Sequence, residues 1–367
     1  MYDGRFRLVD DSLARRLDND FKGENAPSAV LFAGNRNTSR LTESYYLSKL
    51  VSGGSKGAVR FYPVRNMRSY MEFGYDCFER SRTAFAAESL VRAFDICFNS
   101  PNILESGPVS EIYYSFLEFK DELSKGDRNN ARIGKLAKSI KDFFVSRIHA
   151  AGITVDDAKD VIGFLSQSLP NSKSRCVVIE NLESANVSVC NALLKTLEEP
   201  SDRSVIILIS DRPSALLKTI LSRVIRYNFL PAKDDKVKTM LRLSGSPYAE
   251  TEYEDAIVYG DGEHLQEIRG AAKDLFGYVK SHSPDGRKKM FDMISPLLKK
   301  GYSTILSPVD VASVILIELS RTAESDFLAK GRYSSFHSSL SKRIRKAIED
   351  LKVYNIFPQN VIEMVMM

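Results

Sequence analysis

The sequence predicts an α/β domain on a parallel sheet, joined to parts that are all α, and three observations predict it. Between Arg175 and Arg226 two continuous apolar runs, Cys176-Val177-Val178-Ile179 and Val205-Ile206-Ile207-Leu208-Ile209, alternate with helical patterns. Consecutive apolar positions are what a strand buried on both faces requires, and such strands belong to parallel sheets. Ala29 to Ala33 is a third short apolar run, followed by Gly34, a polar loop and a helical pattern from Thr42 to Val51. That order, strand then glycine loop then helix, is the setting of a phosphate-binding loop. From residue 232 to the end, only helical periodicity remains.

In chain order, Leu13 and Leu17, four apart, mark a short amphipathic helix over residues 11–21. The strand at 29–33, the loop from Gly34 and the helix at 42–51 follow; serine and glycine at 52–57 end that helix, and 58–64 alternates as a strand. Residues 76–150 change character. Ala84 to Phe98, Ile112 to Leu123 and Ala131 to Ala150 each carry an apolar stripe at helical spacing, with a loop at Pro101 to Pro108. This reads as a helical insertion, a hairpin with its own small core. The basic residues Arg132, Lys135, Lys138, Lys141 and Arg147 read as its solvated face, with a nucleic-acid or protein patch as the alternative. Thr154, with Asp156 and Asp157 in the first turn, caps a helix to Ser166. Asn191 to Glu199 is a helix whose Leu193, Leu194 and Leu197 face inward while Lys195, Glu198 and Glu199 face out; Pro200 stops it. Leu216 to Ser222 is a short helix that delivers Arg223 at its end. Three domains are expected: 1–230, the α/β domain, with the insertion at about 76–150; 231–270, a small helical lid with Ala256, Ile257 and Leu265 apolar and Gly260 and Gly262 turning; and 271–367, helical, broken near Ser283-Pro284 and Ser307-Pro308. The stripe Ile344, Ala347, Ile348 and Leu351 and the final Val361, Met364 and Val365 are the apolar faces of the last helices.

Composition excludes several classes. A chain of 367 residues exceeds one ordinary core, which is why more than one domain is expected. Hydrophobic residues at 43% with charged residues at 27% describe a globular protein. No apolar run approaches the ~18 residues of a membrane span, and MYDGRFRLVDD has no apolar core of a signal peptide, so a cytoplasmic location is expected. Cys77, Cys97, Cys176 and Cys190 are scattered without a C-x-x-C, and His149, His264, His282 and His337 do not pair with them, so neither zinc nor a disulfide framework is indicated. A net charge of +5 permits contact with nucleic acid without arguing for it.

The order of pieces is more specific than any one of them. NALLKTLEEP, then a strand ending in Ser210, then Leu-Leu-Lys-Thr-Ile before Ser222-Arg223, resembles the AAA+ module of clamp-loader subunits, and within it the delta-prime group of the bacterial DNA polymerase III clamp loader. The resemblance is strongest over about 153–231 and degenerate over about 8–55. It implies a RecA-like AAA+ domain, a helical lid, and a C-terminal helical collar through which subunits oligomerise. The four-cysteine zinc module that delta-prime subunits usually carry is missing, and the helical insertion stands in its place.

The nucleotide motifs can be read as chemistry. A phosphate loop, G-x-x-x-x-G-K-[ST], wraps phosphates with backbone N–H groups, reaches them with lysine and binds Mg²⁺ with a hydroxyl. Here the window is Gly34-Asn35-Arg36-Asn37-Thr38-Ser39-Arg40-Leu41: Ser39 replaces the second glycine, Arg40 the lysine and Leu41 the hydroxyl. Leucine offers magnesium no oxygen, and the planar guanidinium does not fit a lysine's slot without rearrangement. The acidic pair that ends the next motif in active relatives is Glu180-Asn181, and Asn181 cannot act as a base. Ser210 holds the position that senses nucleotide in the subunit's own site, and Arg223 holds the position of an arginine finger acting in a neighbouring subunit's site. No cofactor and no metal are therefore expected, nor ATPase activity in this chain. The resemblance implies a non-catalytic member of a DNA polymerase III assembly, with gamma/tau ATPase subunits, the delta subunit, the sliding clamp and, through the assembled complex, primed DNA as partners. The alternatives are an AAA+ ATPase with a divergent active loop, and a structural adaptor outside replication.

Overall fold

The computed structural model describes residues 7–22, 26–34, 39–62, 67–104, 109–148, 152–167, 174–230, 234–243, 262–281, 286–299, 308–330, 335–353 and 358–366. The middle of the phosphate-loop window, 35–38, and the stretch 244–261, which includes Ala256, Ile257 and Gly260, lie outside them. So do Pro108, Pro231, His149, His282 and the breaks at Ser283-Pro284 and Ser307. The chain divides into two compact units, Met1–Gly260 and Asp261–Met367.

The first unit is built on a parallel sheet of five strands: β1 (Ala29–Gly34), β2 (Val59–Tyr62), β3 (Arg175–Glu180), β4 (Ser204–Ser210) and β5 (Ile225–Phe229), in the order β2-β3-β4-β1-β5. This is the parallel α/β sheet that the sequence predicts. The three strands read from continuous apolar runs are the central ones, and each is buried on both faces. Alternation along the strands sorts their side chains into two cores. Val30, Phe32, Cys176, Val178, Val205 and Ile207 face one, and Leu31, Val177, Ile179, Ile206 and Leu208 face the other.

The second face is covered by α8 (Val155–Ser166), α9 (Val187–Glu198) and the short α10 (Lys218–Leu221). Thr154 and Asp157 form a full capping box at the start of α8, each side chain accepting from the other's backbone N–H. Helix α9 begins four residues earlier than the apolar spacing marks. The Asn186 side chain accepts from the N–H of Val189 at 2.9 Å, and this cap starts the helix before its apolar stripe does. The expected helix at 216–222 is shorter, the single turn α10, and a 3-10 turn at Pro213–Ala215 precedes it. Strand β5 is not legible as a strand in the sequence; it is an edge strand in which only Tyr227 and Phe229 are buried, so it lacks the continuous apolar run of its neighbours.

The first face is covered by α1 (Asp11–Lys22), α2 (Arg40–Ser52) and the helices that follow β2: α3 (Met67–Ser81), α4 (Ala84–Phe98), the short α5 (Pro101–Leu104), α6 (Val109–Ser124) and α7 (Ala131–Val145). Two sequence expectations do not hold in this region. It is no hairpin with a separate core, because Phe94, Phe116, Phe119, Ile133 and Phe144 are continuous with Phe61, Cys176 and Val178 of the sheet. Ring contacts tie the helices of the segment to one another: Phe98 stacks on Phe116 with centroids 4.9 Å apart and meets Phe144 edge-on at 4.8 Å. Pro101 to Leu104, read as loop, is a turn of helix that buries Ile103. Arg132 of the basic face is paired with Glu118, and Lys141 with Asp142. Helix α11 (Asp234–Leu243) closes the unit's described part, its Lys236 bonded to Asp11 at 2.6 Å.

The second unit's described residues form five helices: Gly262–Ser281, Gly286–Lys299, Pro308–Lys330, Ser335–Val353 and Pro358–Met366. The expected boundary between 270 and 271 falls inside the first of them. Ile268, Leu275, Ile315, Leu319, Leu340, Ile344, Val361 and Val365 are part of its interior. Ile344, Ala347, Val361 and Val365 of the expected apolar faces are thus spent within the unit, whereas Met364 is 41% exposed. The side chains of Leu265, Ile348 and Leu351 lie outside the described part. No helix among the described residues is long and apolar enough to cross a membrane.

Candidate functional site

In a parallel α/β sheet, ligands are met at the carboxyl ends of the strands. Here the order β3-β4-β1 sets Glu180, Ser210 and Gly34 side by side at that edge. The register aligns Ala33 with Ser210 and Glu180 with Ile209, so the four motif positions Gly34, Glu180, Asn181 and Ser210 converge. Helix α2 starts at Arg40, after the loop from Gly34, with Ser39 as its N-terminal cap position.

Arg40 does not lie open at this edge. It is 2% exposed, the largest fully buried side chain of the described residues. One Nη donates to the backbone carbonyl of Ser210 at 2.5 Å and the other to Asp211 Oδ1 at 2.5 Å. Asp211 is itself positioned by its N–H, which donates to Glu183 Oε1 at 3.0 Å. A guanidinium has a planar fork that can hold a carbonyl and a carboxylate together, which an ammonium cannot match. Leu41 packs against the first core. Ser210 is buried, and its Oγ accepts from the N–H of Arg212 at 3.1 Å. Asn181 stands in the left-handed region, φ 60°, where asparagine is tolerated, and its Nδ2 donates to Ser184 Oγ at 2.7 Å to shape a 3-10 turn. The residues at this edge therefore bind one another: the cation nearest the loop is neutralised by Asp211, the position after the acid shapes a turn, and the hydroxyl position holds an apolar side chain.

Arg223 is not brought to this edge. It stands two residues before Ile225, which aligns with Val30, whereas Gly34 aligns with Phe229. Four residues of strand, roughly 13 Å at ~3.3 Å each, separate the two ends. Arg223 forms an ion pair with Glu198, the last residue of α9, and donates from Nη1 to the carbonyl of Thr219 at 2.6 Å and to Ser222 Oγ at 3.2 Å. The side chain keeps 29% of its surface open, and Glu198 45%. Val224 packs on the second core. The sequence does not single out Asp211, Glu183 or Glu198 for these roles. Asp211 follows a strand end and Glu198 a leucine stripe, but an acid at either place carries no sign of its distant partner.

The four cysteines are free and buried; burial raises the thiol pKa of Cys97, Cys176 and Cys190, which keeps them protonated. Among the described residues no three His, Cys, Asp or Glu side chains are grouped to hold a metal ion.

Comparison with known proteins finds similarity over part of the chain. Residues 118–233 match the family described as DNA polymerase III, delta subunit. The DNA polymerase III subunit delta' of Pseudomonas aeruginosa is 44% identical over 87 residues, 23% of this chain and 26% of that protein. That of Haemophilus influenzae is 33% identical over 84 residues, again 23% and 26%. The chain thus spans about a quarter of the length of the curated relatives it matches. Among solved structures, a DNA polymerase III gamma subunit-related protein from Thermotoga maritima aligns over 97% of both chains at 16% identity, with a TM-score of 0.41. The segment 118–233 contains the strand, the NALLKTLEEP helix and the Ser222-Arg223 turn on which the resemblance rests, and the chain is similar in part to the bacterial DNA polymerase III delta-prime subunits.

Proposed function

We propose that the chain is a delta-prime-like subunit of a clamp loader, with no ATP turnover of its own, that completes a neighbouring subunit's ATP site with Arg223. The observation that carries the non-catalytic half is the Arg40 tie. A cation meant for phosphate must be available to it, and Arg40 is instead buried against the Ser210 carbonyl and Asp211. A nucleotide would have to break that pair, and would then find Leu41 where Mg²⁺ needs oxygen and Asn181 where water needs a base. Gly34, Ser39, Arg40, Leu41, Glu180, Asn181 and Ser210 are on this reading the relics of a nucleotide site. The residues present do not fit a magnesium nucleotide.

Arg223 supports the second half by its placement. It is remote from its own chain's motif edge, part-exposed, and carries a charge that cannot be deprotonated. Presented to a neighbour's phosphates, such a guanidinium stabilises the charge of the transferring phosphoryl group, a contribution of about 10³–10⁵ in rate in related NTPases, roughly 4–7 kcal/mol. The partners on this reading are gamma/tau ATPase subunits, the delta subunit and the sliding clamp, with primed DNA met by the assembled complex in the cytoplasm.

The ion pair to Glu198 favours a second reading, in which Arg223 simply ties the end of α9 to α10. Reconstitution with gamma-type and delta subunits decides between them. On the first reading Arg223→Ala assembles normally and slows clamp- and DNA-stimulated ATP turnover. An intact mutant complex with the wild-type rate leaves only the second. Calorimetry of the isolated chain with ATP and Mg²⁺ tests the rest: binding at micromolar affinity with turnover overturns the non-catalytic reading.

A further inference from the structure

Helix α2 turns one side to the sheet and the other to a cavity. The cavity, of about 790 Å³, is walled by α2, α4 and the end of α6, and none of the motif residues lines it. Its floor is apolar: Tyr45 and Leu50 of α2, Ala87 and Val91 of α4, and Leu123 of α6. Two alanines on α4, Ala84 and Ala87, leave the width that larger side chains would fill.

The charges around this floor do not balance. Lys49, Arg92, Lys120 and Arg128 face two acids, Glu88 and Asp95. Asp95 is already satisfied within the wall, paired with Lys49 at 3.1 Å and accepting from the Tyr45 hydroxyl at 2.7 Å. Burial first, and Asp95 second, push the Tyr45 phenol pKa well up, so that tyrosine stays a neutral donor. Arg92 donates to the Tyr70 hydroxyl at 3.2 Å. Lys120 and Arg128, at the α6 end, form no ion pair with any described residue; Lys120 lies over the Phe116 ring at 5.2 Å. The result is an apolar trough with two uncompensated cations at one end.

We propose that this cavity is a binding site for a small amphiphilic anion, an aromatic body carrying one carboxylate, sulfonate or phosphate group. The volume lies within the roughly 300–1,000 Å³ of small-molecule sites, and so does the design, a mostly apolar lining with a few polar groups at one place. The aromatic body lies between Tyr45 and Val91, where it loses water from both faces. Its charge meets Lys120 and Arg128, which are offset by no carboxylate of the described chain. The anion sets the direction of the ligand and the floor supplies its hold. No residue of the nucleotide motifs takes part, and neither does Arg223, so the site is independent of the clamp-loader reading.

The test uses the full chain and two fluorescent probes of similar shape, 1-anilinonaphthalene-8-sulfonate and the uncharged N-phenyl-1-naphthylamine. The sulfonate is expected to bind at a single saturable site. Lys120→Ala with Arg128→Ala is expected to weaken it by about tenfold or more, the scale of a lost charge-assisted contact, and to leave the neutral probe unchanged. Val91→Glu is expected to weaken both probes. Circular dichroism and melting of each variant show whether it has kept its fold, and the two alanine changes, at exposed and part-exposed positions, keep the test sharp if Val91→Glu does not fold. Equal affinity of the two probes in the wild type, or no loss on removing Lys120 and Arg128, overturns the proposal. Displacement of the sulfonate by a protein partner while aromatic carboxylates fail to compete makes the trough a protein interface instead, and overturns it as well.

Discussion

Asp211→Ala removes the counter-charge from the largest fully buried side chain among the described residues, and the cost can be worked from its surroundings. Arg40 is 2% exposed and has its fork divided between Asp211 Oδ1 and the Ser210 carbonyl, each at 2.5 Å. Breaking a fully buried ion pair from one side costs about 3–5 kcal/mol, because the remaining charge is left dry. Asp211 is 23% exposed, so water can enter where its carboxylate stood, and the Ser210 contact persists; the cost is therefore at the low end, about 3 kcal/mol. For a unit of this size roughly 2–4 °C of melting temperature goes with each kcal/mol, giving a fall of about 6–12 °C. Arg40→Met leaves the opposite orphan, a carboxylate that can rehydrate, and should cost less than Asp211→Ala. The double variant should recover much of the loss, since two apolar side chains leave no charge behind. Circular dichroism melts of the four proteins at one pH and salt measure all of this. If Asp211→Ala melts within about a degree of wild type, less than the span that a single kcal/mol would move it, or if the two single losses simply add in the double variant, the buried tie does not hold the edge together.

Other outcomes follow from the same structure. Glu198→Gln should keep the Arg223 backbone contact but weaken its side-chain tether; if Glu198 positions the arginine, ATP turnover by a reconstituted complex should change while assembly does not, and Glu198→Asp should restore part of it. Thr154→Ala removes one half of the capping box of α8 and should cost about 1 kcal/mol in urea unfolding; a change within experimental error would count against the cap. Cys77, Cys97, Cys176 and Cys190 should react with a water-soluble disulfide reagent only as the protein unfolds, in step with the loss of helix signal; early labelling of Cys97 or Cys176 would contradict the packing. Ending the chain before Arg343 should melt the second unit, because Ile344, Val361 and Val365 are part of its interior; a truncated chain with that unit still folded would mean these residues are held in reserve for a partner.

How far the residues alone lead depends on how local the physics is. The central strands announce themselves because each is dry on both faces, so nearly every position is apolar. The start of α8 is equally plain, since a capping box is written within four residues. Strand β5 is not, because only alternate positions are buried and its partner β1 lies far back in the chain. The motif edge divides the same way. That Ser39, Arg40 and Leu41 depart from a phosphate loop is visible in the string, as is the charge at Arg223. What Arg40 does instead is not, because its partners Ser210 and Asp211 are 170 and 171 residues away. The same holds for Glu198, read only as the outer face of a helix, and for the cavity beside α2, whose three walls come from separate parts of the sequence.

The interior shared by the helices after β2 and the sheet has a bearing on how this chain can be cut and exchanged. Phe94, Phe98, Phe116 and Phe144 share one interior with Phe61 and Val178, so removing residues 67–145 would not unplug an accessory but strip most of the helical cover from one face of the strands. The segment is in that sense no cassette. Melting should proceed through it and the sheet in a single cooperative step, and a chimera that grafts a metal-bound module between β2 and the start of α8 would have to bring a replacement for the buried rings as well as for the connection.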